Sequence, residues 1–274
     1  MSAVATKAAG AAAPAYRLGD TFGRFRRPAI GLAVGILAWE VVGRILAIQF
    51  FPPFSAVVER LIEMTVSGAI VGNLTNSLTN LVIGFGLSAG VGLTIGALMG
   101  VYRKVERALD IYIYALLTAP SLVFAPLFFS LFGLDRMTIV AVIFMYAAFF
   151  IIINTSAAIK AVPTPLVEMG RSYCASDRQL FFEIILPAAL PLVMAGLRLG
   201  MGRAVKGMIN GEMFIAAVGL GQIVIEAQGA FDAETVLAVL LLIIIVALLA
   251  TKLVKIVDGR LTSWLPSNAR EGRK

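Results

Sequence analysis

Histidine is absent from the 274 residues and cysteine occurs once, at Cys174. That removes histidine-rich metal centres, a Ser-His-Asp triad and any disulfide within the chain. Charge is also scarce. Only 14% of the residues are Asp, Glu, Lys or Arg and 59% are hydrophobic, against about 25% and about 45–50% in an ordinary soluble domain. Such a chain needs lipid around it. With no His and no pair of carboxylates on a shared face, little is left to do chemistry with, and no G-x-x-x-x-G-K-[ST] loop occurs that could hold a nucleotide triphosphate.

What is present in quantity is apolar sequence. A helix needs about 20 apolar residues to cross a hydrocarbon core, and runs of that length lie near 28–48, 78–101, 108–133, 137–159, 188–215 and 235–257. The expected fold is therefore an all-α integral membrane protein of about six transmembrane helices over 25–260. Residues 1–24, rich in Ala, and 261–274 are expected to be tails, the first of them disordered. The first apolar run follows Arg24, Arg26 and Arg27 and reads as a retained span, not as a secretory signal.

Six spans put both termini on one side. Seventeen of the 23 Lys and Arg residues fall on that side and only Arg60 and Arg136 on the other, while Arg44, Arg198, Arg203 and Lys206 lie within predicted spans. Both termini are thus expected in the cytoplasm. The net charge of +7 serves membrane orientation, and no nucleic-acid partner is expected.

In the second span Gly84, Ser88, Gly92, Gly96 and Gly100 recur at spacing four, which places five small residues on one side of a helix where a neighbour can approach closely. Gly84, Gly86 and Ala89 also match G-x-G-x-x-A, but inside an apolar span and after no strand, which speaks against a dinucleotide site. In the third span Pro120 and Pro126 each remove a backbone donor. They predict either a packing kink or a discontinuity lining a pathway.

The longest cytoplasmic connection, 160–187, reads KAVPTPLVEMGRSYCASDRQLFFEIILP. Pro163 and Pro165 stop the fourth span, a short helix is expected from Leu166 to about Tyr173, and a second from Ser176 to Ile185, ended by Pro187. Leu180, Phe181, Ile184 and Ile185 follow helical spacing, so this elbow has an apolar face to bury. It either packs on the ends of its own bundle or inserts into a cytoplasmic partner.

The segment resembles the cytoplasmic coupling loop of ATP-binding-cassette importer permeases, with pattern E-A-A, three residues, G, nine residues, I-x-L-P. Leu186 and Pro187 set the register, which brings Glu168, Gly170, Cys174 and Ile184 onto the pattern. Met169 and Gly170 replace two alanines and Cys174 replaces the turn glycine. The likeness continues from about residue 75 to 260 through LTAPSLVFAPLFFSLFG, FFIIINTSAAIKAVP, LPAALPLVMAGLRLGMGRA, GEMF and GLG, which together resemble the nitrate, sulfonate and taurine group of type I importer permeases. The resemblance implies a transport subunit for a small anionic solute. It also implies two ATPase subunits that hold ATP and Mg, so that this chain binds no cofactor. A second permease chain in a homodimer and an extracytoplasmic substrate-binding protein complete the expected assembly.

Ionisable groups at membrane depth are costly and usually face protein or water. At 100° per residue Arg203, Lys206 and Asn210 share one face of the fifth span, while Arg198 and Glu212 lie elsewhere. A cationic face suits transient binding of an oxyanion. The alternative places Arg198 at the cytoplasmic headgroups, pairs Lys206 with an acid such as Glu40, and satisfies Glu212 at the outer end, without any substrate. Against an importer permease stand an ion-coupled secondary transporter, which offers no reason for the elbow, a membrane-embedded enzyme, and a non-transporting anchor.

Overall fold

The computed structural model describes residues 20–46, 48, 50–215 and 218–264. Most of the two expected tails lies outside the described residues. Among these residues there is no strand; eleven α-helices and two tighter or wider turns account for the ordered elements. Two compact units are present, residues 1–55 and 56–274.

The first unit is built on α1 (Asp20–Leu46), which starts at Asp20, inside the stretch expected as a tail. Its apolar window, Ala29–Leu46, is long enough to span, and Leu32 and Leu37 face outward at 68% and 62% exposure. The chain after it is tied back. The Trp39 Nε1–H donates to Pro52 O (3.1 Å), and the Glu40 carboxylate accepts from Arg44 Nε (2.6 Å), Ser55 N–H (2.9 Å) and Ser55 Oγ (2.9 Å). Glu40 is thereby committed within this unit. It also places its charge at the start of α2 (Phe54–Val66), where the helix dipole favours it.

Three helices form the centre of the second unit: α3 (Val71–Val101), α6 (Arg136–Lys160) and α9 (Leu186–Ile215). The small residues of α3 lie against the bulky ones of α6: Gly84 against Ile143, Gly92 against Ile151, Gly96 against Thr155 and Gly100 against Ile159. Ser88 is fully buried in the same line, its Oγ–H donating to Gly84 O (2.7 Å). A second small-residue stripe, on α9, escaped the sequence reading. Gly196, Gly200, Gly207 and Gly211 approach Asn154, Ile151, Tyr146 and Val142 on the other side of α6. With glycine on both flanks α6 is held at close range, and half of its apolar window is buried within the chain. Ile139, Ile143, Ile151, Ala204, Met208 and Ala250 make the central core.

Close approach makes this seam intolerant of added bulk. A Cβ at Gly96 would lie 2.6 Å from both Ile152 O and Thr155 Cβ, whereas one at Gly86 meets nothing within 4 Å. We predict that Gly96→Val costs about 3 kcal/mol, the upper end of overpacking penalties, and that Gly86→Ala does no harm and gains up to about 1 kcal/mol, since alanine is the better helix former where space is open. Thermal unfolding of the purified protein distinguishes the two.

The third apolar run is broken. After α4 (Arg103–Thr118) the chain is extended at Ala119, as the residue before a proline prefers. It turns through a 3₁₀ segment (Ser121–Phe124) and continues as α5 (Ala125–Phe132), bent by 95°. At Pro120 the chain is discontinuous rather than mildly kinked, so the run over 108–133 is not one straight helix. Thr118 Oγ1–H lies within reach of Tyr114 O (2.9 Å) and Ala115 O (3.1 Å), and Ala119 N–H closes the last turn on Ala115 O (3.0 Å). Pro126 sits in the first turn of α5, where no intrahelical donor is lost. Among the described residues five helices are long and apolar enough to cross a membrane, six if the bent pair is one span.

On the side opposite the elbow α10 (Leu220–Gly229) packs among α3, α9 and α11 (Ala233–Leu261). Here α2 is fastened by Arg60, which donates to Glu63 (2.7 Å) and Thr235 Oγ1 (2.9 Å) and stands 3.8 Å from Asp232, the N-cap of α11. Burial alone would raise the Asp232 carboxyl, but the Thr235 hydroxyl and N–H together with Arg60 outweigh it and hold it below the ordinary value.

Candidate functional site

The elbow opens with α7 (Thr164–Ser172), whose first turn carries Pro165. It closes through paired bonds, Ala175 N–H to Gly170 O (3.1 Å) and Cys174 N–H to Arg171 O (2.9 Å), the pattern of a Schellman cap. Cys174 occupies the position where glycine is usual, with φ 56°, at a cost of about 1 kcal/mol. Ser176 and Gln179 then form a reciprocal capping box that starts α8 (Asp177–Gln179).

Pro187 does not end the helix that follows. From Asp177 to Ile215 the helix is continuous, because the segment Leu180–Ile185 widens to a π-turn in which Leu186 N–H reaches back to Phe181 O. The wider turn fits the missing Pro187 donor into the helix without a stop. The second arm of the elbow and the fifth span are therefore one continuous helix.

The apolar face of the elbow is spent within the chain. Phe181 and Ile185 pack on Ala158, Ile159, Ala189 and Val193, and Leu180 and Ile184 press on Gly170, where a Cβ would collide with both. Glycine in place of alanine at 170 is what lets α7 fold back this closely. Outward instead stand Tyr173 (83% exposed), Phe182 (57%), Met169 (52%) and Leu166 (39%), with Glu168 and Cys174 beside them, also exposed. Leu186 and Pro187 are half-buried at the base. Periodicity had singled out the inward face; the outward ridge was legible only as isolated apolar residues among charges.

Along α6 and α9 a second set of residues converges. The Arg203 guanidinium lies 4.1 Å from the centre of the Phe150 ring, and Asn210 Nδ2 donates to Tyr146 Oη (2.8 Å). Lys206, between them on the same face, is exposed and makes no ion pair among the described residues. Glu40, the acid considered for it, is bound within its own unit to Arg44 and Ser55. Arg198 lies elsewhere, paired with Asp258 of α11 at 2.6 Å.

Glu212 occupies the opposite face of α9, fully buried. Its carboxylate accepts from Ser77 Oγ (2.7 Å), Asn80 Nδ2 (3.3 Å) and Gly221 N–H (3.2 Å), and Leu220 N–H donates to Ser77 Oγ (2.8 Å). One side chain thus joins α3, α9 and the start of α10. Gly219, at φ 84°, and Gly221 leave the space that the carboxylate fills. The reading singled out GEMF and GLG but not their partners Ser77 and Asn80, which are 132 to 143 residues away in the chain.

The chain is a bundle of apolar helices with an elbow over 160–187 and a cationic face on α9, and comparison with known proteins gives its family. The profile of the binding-protein-dependent transport system inner membrane component family matches residues 92–263, and the chain belongs to that family. It is 32% identical over 170 residues, 62% of this chain and 61% of the other, to a Bacillus subtilis protein named as an aliphatic sulfonates transport permease. A riboflavin transport system permease protein of Chloroflexus aurantiacus is 31% identical over 59% of this chain and 60% of its own. The nitrate import permease protein of Synechocystis is 30% identical over 56% and 55%. The chain spans about three fifths of the length of these relatives. Among solved structures, the MetNI methionine transporter in inward-facing form shares the fold with TM-score 0.61 at 22% identity, over 68% of this chain and 93% of that one.

Proposed function

We propose that this chain is the membrane-spanning subunit of an ATP-driven importer and forms the path of a small anionic solute delivered by an extracytoplasmic binding protein. The family match over 92–263, which includes the whole elbow, carries this reading. In it two ATPase subunits dock beneath a pair of permease chains and hold ATP and Mg, and this chain binds neither. The loops with most of the Lys and Arg, with both termini, lie in the cytoplasm. Glu168 and the ridge of Met169 and Tyr173 meet the ATPase, and the unbroken rod from Asp177 to Ile215 carries the motion inward.

Relatives named for sulfonates and nitrate support an anionic substrate, and Arg203, Lys206 and Asn210 are assigned to its path. Arg203→Gln combined with Lys206→Met is expected to lower ATP-driven uptake of an alkanesulfonate about tenfold or more, because a charge-assisted hydrogen bond is worth about 1.5–3 kcal/mol, while the assembled complex is recovered in normal yield. Uptake in proteoliposomes at the wild-type rate would remove these residues from the path. Dependence on an ion gradient, with no response to ATP, would replace the importer by a secondary transporter.

A further inference from the structure

The first turns of α4 carry Arg103, Lys104 and Arg107, all exposed and none in an ion pair among the described residues. Glu106, between them in sequence, is spent on Lys160, the last residue of α6, and the half-buried Asp110 pairs with none of them. Three cations are thus left unbalanced at the elbow end of the bundle. The other side of α4 is packed, with Val105, Leu109 and Ile113 against Met99 and Ile152.

At 100° per residue the three cations share a face about 100° wide with Ile111 and Tyr114 farther along the helix. Ile111 is 72% exposed and Tyr114 48%, with Tyr112 beside them at 66%. One uncovered strip therefore passes from cations to apolar and aromatic side chains within about three turns. The chain's own ends do not have the charge to cover it. Residues 1–19 contain no Asp or Glu, and 265–274 contain one, Glu271, beside three Lys or Arg. A second copy meeting this face across a two-fold axis would set cation against cation. An acidic protein surface would match the cations but leave the strip beyond them unmatched, whereas a phospholipid matches both.

We propose that this face of α4 is a binding site for an acidic phospholipid. The headgroup phosphate sits among Arg103, Lys104 and Arg107 as a charge-assisted acceptor, and the acyl chains lie along Ile111. Tyr112 and Tyr114 stand at the boundary between headgroup and hydrocarbon, where amphipathic rings are favoured. Glu106 keeps the site cationic by pairing away from it, with Lys160. The site does not depend on what the chain transports.

The test uses the full chain purified in micelles of neutral headgroup. Native mass spectrometry counts bound lipid as dioleoylphosphatidylglycerol or dioleoylphosphatidylcholine is titrated in. The first phosphatidylglycerol is expected to bind at least about tenfold more tightly than phosphatidylcholine, since each cation at an acidic lipid surface is worth about fivefold in affinity. Arg103→Gln, Lys104→Gln and Arg107→Gln together should abolish that preference without lowering the melting temperature, because all three side chains are exposed. Arg103→Lys with Arg107→Lys should keep most of it. Removing equal charge from exposed positions of α11, by Lys252→Gln, Lys255→Gln and Arg260→Gln, should leave it intact. Equal binding of the two lipids, a preference that survives the α4 triple variant, or an equal loss from the α11 variant would overturn the site. Displacement of the bound lipid by glycerol 3-phosphate would show a site for a soluble phosphate instead, and its displacement by added ATPase would give the face to a protein; either result overturns the proposal.

Discussion

Glu212→Ala is expected to cost the folded chain about 3 kcal/mol or more, since each buried neutral donor left without an acceptor costs about 1–3 kcal/mol. Three donors, on Ser77, Asn80 and Gly221, lose their acceptor at a depth where water does not replace it. For a chain of this size the loss corresponds to a fall of about 10 °C in melting temperature. Glu212→Gln is expected to be far milder. Its oxygen can face Ser77 and Gly221 while its NH₂ donates to Asn80, whose amide turns to present the Oδ1 that lacks a partner in the native arrangement. Equal destabilisation by Ala and Gln would mean that the charge, and not the hydrogen-bond set, holds α3, α9 and α10 together. No effect of either would mean the cluster is dispensable.

The second large effect is expected at the elbow ridge. Met169 and Tyr173 are exposed in this chain, so changing both to Asp leaves the fold intact, yet on the proposed interface it removes two apolar anchors and buries two unpaired carboxylates. Interface anchors of this kind are worth about 2 kcal/mol or more each, about 30-fold in affinity. Co-purification of the ATPase should fall to background and uptake should stop, while the melting temperature of the permease alone stays within a degree or so of wild type. Phe181→Asp should behave the other way round, unfolding the elbow before any question of docking arises, since Phe181 packs on the Ala158 and Val193 cluster. Normal co-purification with the double Asp variant would place the docking surface elsewhere.

The helical membrane class, the small-residue stripe on α3 and the elbow were legible because each leaves a periodic mark within a short window: apolar runs of span length, glycine every fourth residue, a loop bounded by prolines. Proline was read less well, since its effect depends on the turn around it. Pro120 breaks the third span through 95°, whereas Pro187, expected to stop a helix, is absorbed by the π-turn at Leu180–Ile185. Spacing alone does not say which turn can widen. The amphipathic α2 and the short α10 are too brief to stand out among apolar runs.

The orientation of the elbow was the costliest gap. Helical spacing picked out Leu180, Phe181, Ile184 and Ile185 as a face to be buried, which they are, but within the chain. Periodicity states that a face is buried and not against what. The Glu212 cluster was out of reach for a related reason: its acceptor and donors lie on three helices, and only their packing brings Ser77 and Asn80 to a glutamate more than 130 residues away.

Cys174 supplies the most direct measurement of the central claim, that this chain delivers ATPase motion through a cytoplasmic elbow. It is the sole thiol in the sequence, it sits exposed at the turn, and it adjoins the Tyr173 ridge. Its exposure leaves the thiol open to a reagent in water, so reaction with a maleimide should be measurable. A membrane-impermeant maleimide is expected to leave Cys174 unlabelled in intact cells, to label it in inside-out vesicles stripped of ATPase, and to be excluded again once the ATPase is restored. Labelling from outside would contradict the orientation, and labelling from inside that the restored ATPase does not change would contradict the docking role of the elbow.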